Sequence, residues 1–179
     1  EGGRVVELHA EKNEDALRTL VGMDEGAAMP RESVSLLSLA QEAAASLSAA
    51  AQAQNVTLTV NGTAGTLTGV RRLLSETVRN LCENAVKYNV PGGSVTVTVA
   101  ETPQAVTLTV ADTGIGIPPA DQSRVFERFY RVDKSHSRAI GGTGLGLSIV
   151  KHAVAYHPGT VQLDSTPGQG TVITVTLPK

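Results

Sequence analysis

Two asparagines, a lysine and a tyrosine share one side of a predicted helix in the segment NLCENAVKY, residues 80–88. An amide oxygen can ligate a hard cation such as Mg²⁺, an ammonium group can neutralise phosphate, and an aromatic face can cover a base. The pattern therefore indicates a metal–nucleotide site, although a solvated polar face would have the same spacing. At about 100° per residue, the side chains that point together are Asn80, Asn84, Lys87 and Tyr88.

A carboxylate and two glycines directly follow a predicted strand, in the order Asp112, Gly114, Gly116, Ile117. Glycines let the backbone approach a ligand closely. The Asp112 carboxylate at a strand end can accept a hydrogen bond from the exocyclic amino group of a purine. An ordinary Asp-Gly turn has the same residues, so this motif alone is weak.

A second glycine-rich segment opens a predicted helix. Backbone running into a helix N-terminus presents N–H groups and a positive dipole end to phosphate. The segment lacks the Gly-Lys-Ser/Thr ending of a P-loop and the spacing of the dinucleotide-binding fingerprint, and a flexible hinge is the alternative. Its residues are Gly142, Thr143, Gly144, Leu145, Gly146 and Leu147.

Cations and aromatic residues are concentrated between the two glycine motifs. Cations on a loop beside a phosphate site suit a lid that closes over a polyphosphate. Phe126 and Phe129 would pin this lid to the core. The other members of the cluster are Arg124, Arg128, Tyr130, Arg131, Lys134 and Arg138.

These motifs need a framework of helices and strands around them. Apolar residues at helical spacing predict helices over 11–22, 33–53, 70–88 and from 143 or 144 to about 156, and alternating residues predict strands over 56–60, 94–100, 105–111, 160–165 and 171–177. The short 101–104 connection predicts an antiparallel hairpin. Residues 61–69 and 112–143 are predicted loops. The order predicts an α/β two-layer sandwich, with helices covering one face of a sheet.

Composition excludes several function classes. The chain of 179 residues holds 15 basic and 17 acidic residues, so neither nucleic-acid binding nor a polybasic membrane contact is indicated. It has no run of about 20 apolar residues. Cys82 is the only cysteine, which excludes an intramolecular disulfide, and its position on the apolar side of a helix predicts a core residue.

Taken together and in order, the four motifs resemble the catalytic ATP-binding domain of bacterial sensor histidine kinases. The resemblance covers about residues 31–179, and the segment YRVDKSHSR at 130–138 is similar to phosphate-regulon sensors. It implies a Bergerat-type fold, with a mixed and largely antiparallel sheet layered on helices, an ATP lid at about 112–143, and ATP with Mg²⁺ as cofactors.

The resemblance also implies roles for individual residues. Asn84 matches the metal-ligating asparagine, Asn80 the asparagine one turn earlier, and Lys87 a phosphate contact. Tyr88 matches a ring beside adenine, and Asp112 the adenine-reading carboxylate. The remaining implied nucleotide contacts are Gly114, Gly116, Ile117, Phe126, Arg131, Lys134, Gly142, Thr143, Gly144, Leu145, Gly146 and Leu147.

The phosphoacceptor of the family, a histidine followed by an acidic residue and Arg-Thr-Pro, is missing. His9, His136, His152 and His157 all lack that context. Residues 1–30 resemble the end of the dimerisation domain and a linker. The resemblance therefore implies the cytoplasmic portion of a membrane-anchored sensor. Its partners would be a histidine-bearing dimerisation domain, through which it would form a homodimer, and a response regulator.

Two alternatives stay open at this point. One is an ATP-hydrolysing relative of the gyrase, chaperone or mismatch-repair kind, which places a glutamate base where this chain has Asn80. Glu76 and Glu83 are nearby, but one lies a turn too early and the other points elsewhere. The second alternative is a nucleotide-binding module that only docks on partners.

Overall fold

The computed structural model describes residues 29–132 and 142–179, and the predicted helix over 11–22 lies outside them. The helices are α1 (Leu36–Ala53), α2 (Arg71–Lys87) and α3 (Gly146–Tyr156). The strands are β1 (Glu32–Ser35), β2 (Thr57–Gly62), β3 (Thr66–Gly69), β4 (Ser94–Glu101), β5 (Ala105–Asp112), β6 (Thr160–Thr166) and β7 (Gly170–Pro178).

A five-stranded sheet in the order β2-β4-β5-β7-β6 forms the centre of the fold. Only the β2–β4 pair is parallel among these strands, so the sheet is mixed and largely antiparallel, as expected. The 94–101 and 105–112 strands form the predicted hairpin. The alternation of valine and threonine in β4 determines which face of the strand is buried. Its valines are buried, and the threonines between them stay partly exposed.

The helices cover one face of this sheet. The apolar stripe of α2 is buried, and the side chains of Leu81 and Cys82 are 2% and 0% exposed. Burial raises the pKa of the Cys82 thiol to about 12, and the nearby Glu83 carboxylate adds to this. Cys82 is therefore a core residue, as predicted, rather than a nucleophile.

The prediction of a helix starting at Ser33 is wrong, and so is the prediction of a loop over 61–69. Strands β1 and β3 pair antiparallel in a separate two-stranded sheet, with Val34 opposite Leu67. Helix α1 begins at Leu36, and the Ser35 hydroxyl caps it by accepting a hydrogen bond from Ser38 N–H at 3.3 Å. A helical periodicity that extends through residue 34 cannot reveal a pairing with residues some 30 positions away.

Within the described parts of the chain, none of the helices has the length and apolarity that crossing a membrane requires.

Candidate functional site

A cavity of about 740 Å³ lies between α2, the end of β5, the start of β7, and residues 142–145 before α3, which we call the glycine turn. Most of the predicted site residues line it together. From α2 and the residue that follows it come Asn80, Asn84, Lys87 and Tyr88, and from the segments around the two glycine motifs come Asp112, Gly116, Ile117, Gly142, Thr143, Gly144, Gly146 and Leu147.

The two asparagines of α2 differ in their surroundings. Asn80 is 8% exposed, and its amide nitrogen donates a hydrogen bond to the Glu76 carbonyl at 2.8 Å. This bond orients the amide, and Asn80 Oδ1 lies next to Gly146, where an added Cβ would come within 2.9 Å of it. The side-chain amide of Asn84 has no hydrogen-bond partner among the described residues, so it is available to a ligand in the cavity.

Lys87 faces the glycine turn from the end of α2. A Cβ added at Gly142 would lie 2.6 Å from Lys87 Nζ, and the same Nζ lies 5.4 Å from the centroid of the Tyr88 ring. Burial lowers the pKa of Lys87, and the positive charge of Arg131 lowers it further, while Glu83 opposes both. Two cations brought together in a partly buried cavity favour an anionic ligand between them.

Asp112 lies at the other side of the cavity, at the end of β5. Its Oδ1 accepts hydrogen bonds from the backbone N–H groups of Gly114 at 2.9 Å and Thr171 at 3.2 Å. Burial raises the pKa of the carboxyl group, whereas these two hydrogen bonds lower it. The carboxylate is thus fixed by the backbone of the turn after β5 and of β7, which suits a group that reads a base.

The backbone of the glycine turn lies close to α2 and to the segment that contains Phe129. Gly144 has φ +71°, a conformation that favours glycine, and a Cβ there would come within 2.9 Å of the Phe129 backbone. Helix α3 starts at Gly146 without a side-chain cap, so its first N–H groups remain open to a ligand. Gly146 and Leu147 line the cavity, and the positive end of the helix dipole therefore faces it.

The segment after Gly116 is fixed by a residue that the sequence did not indicate. Gln122 is 8% exposed, and its amide nitrogen donates to the carbonyls of Ile117 at 2.9 Å and Ser165 at 2.8 Å. Ile117 N–H in turn donates to the Ser165 hydroxyl at 2.8 Å. No local pattern marks Gln122. Thr171 and Ile173 also line the cavity, and the register of β7 against β5 would have been the signal for them.

The aromatic residues of the predicted lid divide into two groups. Phe126 is 3% exposed and belongs to the core, so it pins this segment as predicted but does not line the cavity. Phe129 is 71% exposed, and its predicted pinning role is wrong. Its position has φ +61°, and its N–H donates to the Gly144 carbonyl at 3.0 Å, which turns the ring outward.

Other predicted contacts have mixed outcomes. Tyr130 and Arg131 line the cavity, and the Tyr130 hydroxyl donates a hydrogen bond to Asp121. Gly114 and Leu145 do not line it. Their roles are indirect, because Gly114 orients Asp112 and Leu145 is the first residue before α3. Lys134 lies outside the described residues.

The donors present fit a magnesium–nucleotide complex better than a metal held by protein alone. No cluster of three or more histidine, cysteine or acidic residues occurs in ranges 29–132 and 142–179. The side-chain amide of Asn84, which has no hydrogen-bond partner among the described residues, offers one hard oxygen ligand. Mg²⁺ commonly takes one or two protein oxygens and completes its octahedron with phosphates and water.

Comparison with known proteins identifies the family. Residues 69–179 match the family described as histidine kinase-, DNA gyrase B- and HSP90-like ATPase. The chain belongs to this family. Its similarity within the family is to the catalytic domains of sensor histidine kinases, and the fold and the kinase resemblance are both confirmed.

Individual relatives support this placement. The sensor-like histidine kinase SenX3 of Mycolicibacterium smegmatis is 40% identical over 149 residues, which covers 83% of this chain and 39% of that protein. The phosphate regulon sensor protein PhoR of Pseudomonas aeruginosa is 43% identical over 108 residues, 60% of this chain and 24% of that protein. ShkA, solved at full length in complex with AMPPNP, is 26% identical with a TM-score of 0.74, over 92% of this chain and 34% of that one. The chain thus spans less than half the length of each of these relatives.

Proposed function

We propose that this chain binds Mg-ATP and delivers the γ-phosphoryl group to a histidine on a dimerisation domain of the same sensor. The observation that carries the proposal is the arrangement across the cavity. Lys87 lies beside Gly142 of the glycine turn, and Asn80 lies beside Gly146 at the open start of α3. Asn84 lines the same cavity, and Asp112 lies at the end of β5. Phosphate and base thus have separate, chemically suited ends of one site.

Each side chain has a definite task in this proposal. Asp112 accepts the amino group of adenine, Tyr88 lies beside the ring, and Lys87 with Arg131 balances phosphate charge. Asn84 would hold Mg²⁺ through its amide oxygen, and the ion would supply positive charge beside the phosphates. As in other phosphoryl transfers, the protein contributes positioning and charge stabilisation rather than covalent chemistry.

Transfer to a histidine is favoured over hydrolysis because no residue of 29–132 and 142–179 is a positioned general base at the site. Asn80 occupies the place from which a glutamate would act, and an amide cannot take a proton from water. Glu76 and Glu83 are engaged by Arg79, at 2.6 Å and 3.2 Å. Glu83 lines the cavity, but both carboxylates are held in ion pairs with Arg79, so neither is a free base.

The acceptor is expected to come from another domain. The described residues contain two histidines, and neither lines the cavity. His157 directly follows α3 and is 1% exposed, and His152 lies within α3. His9 and His136 lie outside the described residues. A membrane-anchored sensor whose cytoplasmic catalytic part is this chain, working with a response regulator, follows from the same proposal.

The test is a reconstitution. The chain is incubated with γ-labelled ATP and Mg²⁺, alone and with a separately produced two-helix dimerisation domain from a similar sensor. Acid-labile label is expected on the added domain and not on the chain, and Asn84→Ala is expected to abolish it. Steady phosphate release without label on any histidine would favour the hydrolase reading, and binding of ATP with neither activity would favour a docking module.

A further inference from the structure

A buried imidazole joins the two helices that flank the cavity. His157 directly follows α3 and is 1% exposed. Its Nε2 accepts a hydrogen bond from the Val70 backbone N–H at 2.9 Å, and its Nδ1 lies 2.7 Å from the Ala153 carbonyl oxygen. Since an amide N–H can only donate and a carbonyl can only accept, the ring must be neutral with its proton on Nδ1.

The Val70 N–H lies at a helix end that has no other cap. Val70 is the residue before α2, its side chain cannot cap the helix, and the first turn of α2 contains no acidic residue. In a capping box, a glutamate three residues into the helix would accept from this N–H. Here an imidazole from a different helix does so, and the cap of α2 therefore depends on the end of α3.

The same two helices also meet at the cavity. Asn80 Oδ1 packs against Gly146, the first residue of α3. From Val70 to Asn80 is ten residues and from Gly146 to His157 is eleven, so both contacts are about 15–17 Å apart along antiparallel helices. Two contacts at matched separations fix the axial register. A shift of α3 along α2 would break the imidazole bond and displace the glycine turn from Asn80 together.

The fit around the imidazole leaves little room for an alternative arrangement. A Cβ added at Gly69 would come within 2.9 Å of His157 Nε2. The Tyr156 ring meets the imidazole edge-on, at 5.4 Å between centroids. The bond to Val70 is therefore enclosed on several sides, and water cannot easily replace either partner.

We propose that His157 is a positioning residue for the nucleotide site, because its hydrogen bond to Val70 sets the register of α3 against α2. Asn80, Asn84 and Lys87 are carried by α2, and the glycine turn leads into α3. The position of the glycine turn relative to the α2 side chains is therefore set by a hydrogen bond that lies some 15 Å away from the cavity. This inference rests on the proposed nucleotide function for its consequence, but the helix register itself does not depend on it.

Two substitutions separate the two bonds of the ring. The amide of a glutamine reaches the position of imidazole Nε2, so His157→Gln retains an acceptor for Val70. The amide of an asparagine reaches the position of Nδ1, so His157→Asn retains only the contact with Ala153. Both are polar and of similar size, and they are a matched pair for one hydrogen bond.

The experiment uses the 179-residue chain without nucleotide and then with AMPPNP and Mg²⁺. Nitrogen-15 chemical shifts of the His157 ring are expected to report a proton on Nδ1 only. Nuclear Overhauser contacts between the Asn80 side-chain amide and the Gly146 backbone are expected to match the wild type in His157→Gln and to weaken in His157→Asn, because they report the register of α3 against α2. Calorimetry is expected to give an unchanged AMPPNP affinity for the Gln variant and a loss of about threefold to tenfold for the Asn variant, the scale of one hydrogen bond.

The outcomes distinguish this inference from the proposed function. A proton on Nε2 in the wild type, or unchanged Asn80–Gly146 contacts in both folded variants, would overturn the positioning role. If His157→Asn does not fold, the ring shifts of the wild type and the Asn80–Gly146 contacts of His157→Gln still decide, because a changed contact in His157→Gln would contradict the proposal. Absence of AMPPNP binding by the wild type would instead refute the nucleotide proposal and leave the register result standing.

Discussion

Asp112 Oδ1 lies 2.9 Å from the backbone nitrogen of Gly114 and accepts its hydrogen bond. The same oxygen accepts from Thr171 N–H on β7 at 3.2 Å. Both protein donors thus use Oδ1, and in the described residues no protein group is bonded to Oδ2. The carboxylate can therefore hold the turn with one oxygen while the other meets a ligand.

We expect Asp112→Asn to impair recognition of the base without loosening the turn. The asparagine Oδ1 can still accept from Gly114 and Thr171, but its NH₂ group then replaces the acceptor that would meet the adenine amino group. The ATP affinity should fall by about 1–3 kcal/mol, the scale of a hydrogen bond to a charged group, while thermal unfolding stays near that of the wild type. Equal ATP binding by both proteins in calorimetry would remove Asp112 from base recognition.

We expect Asn84→Ala to remove the effect of Mg²⁺ on nucleotide binding. The Asn84 amide has no protein partner in the described part of the chain, so its loss should leave neither an unsatisfied group nor a core cavity. AMPPNP affinity is measured with Mg²⁺ and with EDTA. The wild type should bind more tightly with Mg²⁺, and the variant should not distinguish the two conditions.

A matched control for this prediction lies on the far side of the sheet. Asn61 is an exposed asparagine of β2 whose Oδ1 accepts from the Thr98 hydroxyl at 3.1 Å. Asn61→Ala makes the same chemical change away from the cavity, so it should keep the full Mg²⁺ effect. A Mg²⁺ effect that survives in Asn84→Ala would contradict the metal-ligand role.

Periodicity is sufficient to predict α2 with its apolar stripe, the β4–β5 hairpin and the strands β6 and β7, because each depends on residues close in sequence. Asn80, Asn84 and Lys87 reach one cavity because a single helix carries them. The β1–β3 pair is not predicted because its partners are 31 to 37 residues apart in the sequence, and Val34 with Leu67 is one of these pairs. Local pattern has no access to such pairing.

The site contains residues that only tertiary structure reveals. Gln122 holds Ile117 through two carbonyls, and neither its type nor its spacing marks it. Phe129 is predicted to pin the lid to the core, yet a left-handed backbone conformation directs it outward. His157 was considered only as a phosphoacceptor, whereas its burial and its bond to Val70 make it a helix cap.

We expect Gly146→Ala to weaken nucleotide binding. The added methyl group would lie 2.9 Å from Asn80 Oδ1, and Asn80 cannot easily rotate away because its nitrogen is bonded to the Glu76 carbonyl. The start of α3 must then move from α2. A displacement of this kind should reduce AMPPNP affinity by about tenfold, which corresponds to roughly 1.4 kcal/mol.

Gly168→Ala is the control for this substitution. Nothing lies within 4 Å of a Cβ at Gly168, but its φ of +77° makes any side chain there unfavourable. It should cost about 1–2 kcal/mol of stability and leave nucleotide affinity unchanged. If the two glycine variants lose affinity equally, the loss at Gly146 reflects general destabilisation instead of the contact with Asn80.

The final prediction concerns acid pH. Burial lowers the pKa of the His157 imidazole, the Ala153 carbonyl opposes this, and the charge of Arg31 lowers the pKa further. Tyr156 is the titratable neighbour at the ring edge. The unfolded chain takes up a proton on this histidine near pH 6.5, while the folded chain resists it until a lower pH. The contribution of the neutral His157 ring to the free energy of unfolding is therefore complete above about pH 6.5, and it decreases as the pH falls.

We therefore expect the free energy of unfolding, measured in urea, to decrease between about pH 7 and pH 5, with a share from His157 of at most about 1.4 kcal/mol per pH unit. His157→Gln removes that share and should flatten the curve. Burial also lowers the pKa of His152 and raises that of Asp112, but both groups are the same in the two proteins, so the difference between the curves isolates His157. His152→Gln gives the separate share of His152. Parallel curves for the wild type and His157→Gln would mean that the imidazole takes up its proton at the same pH in the folded and the unfolded chain, which contradicts a ring held neutral between Val70 N–H and the Ala153 carbonyl.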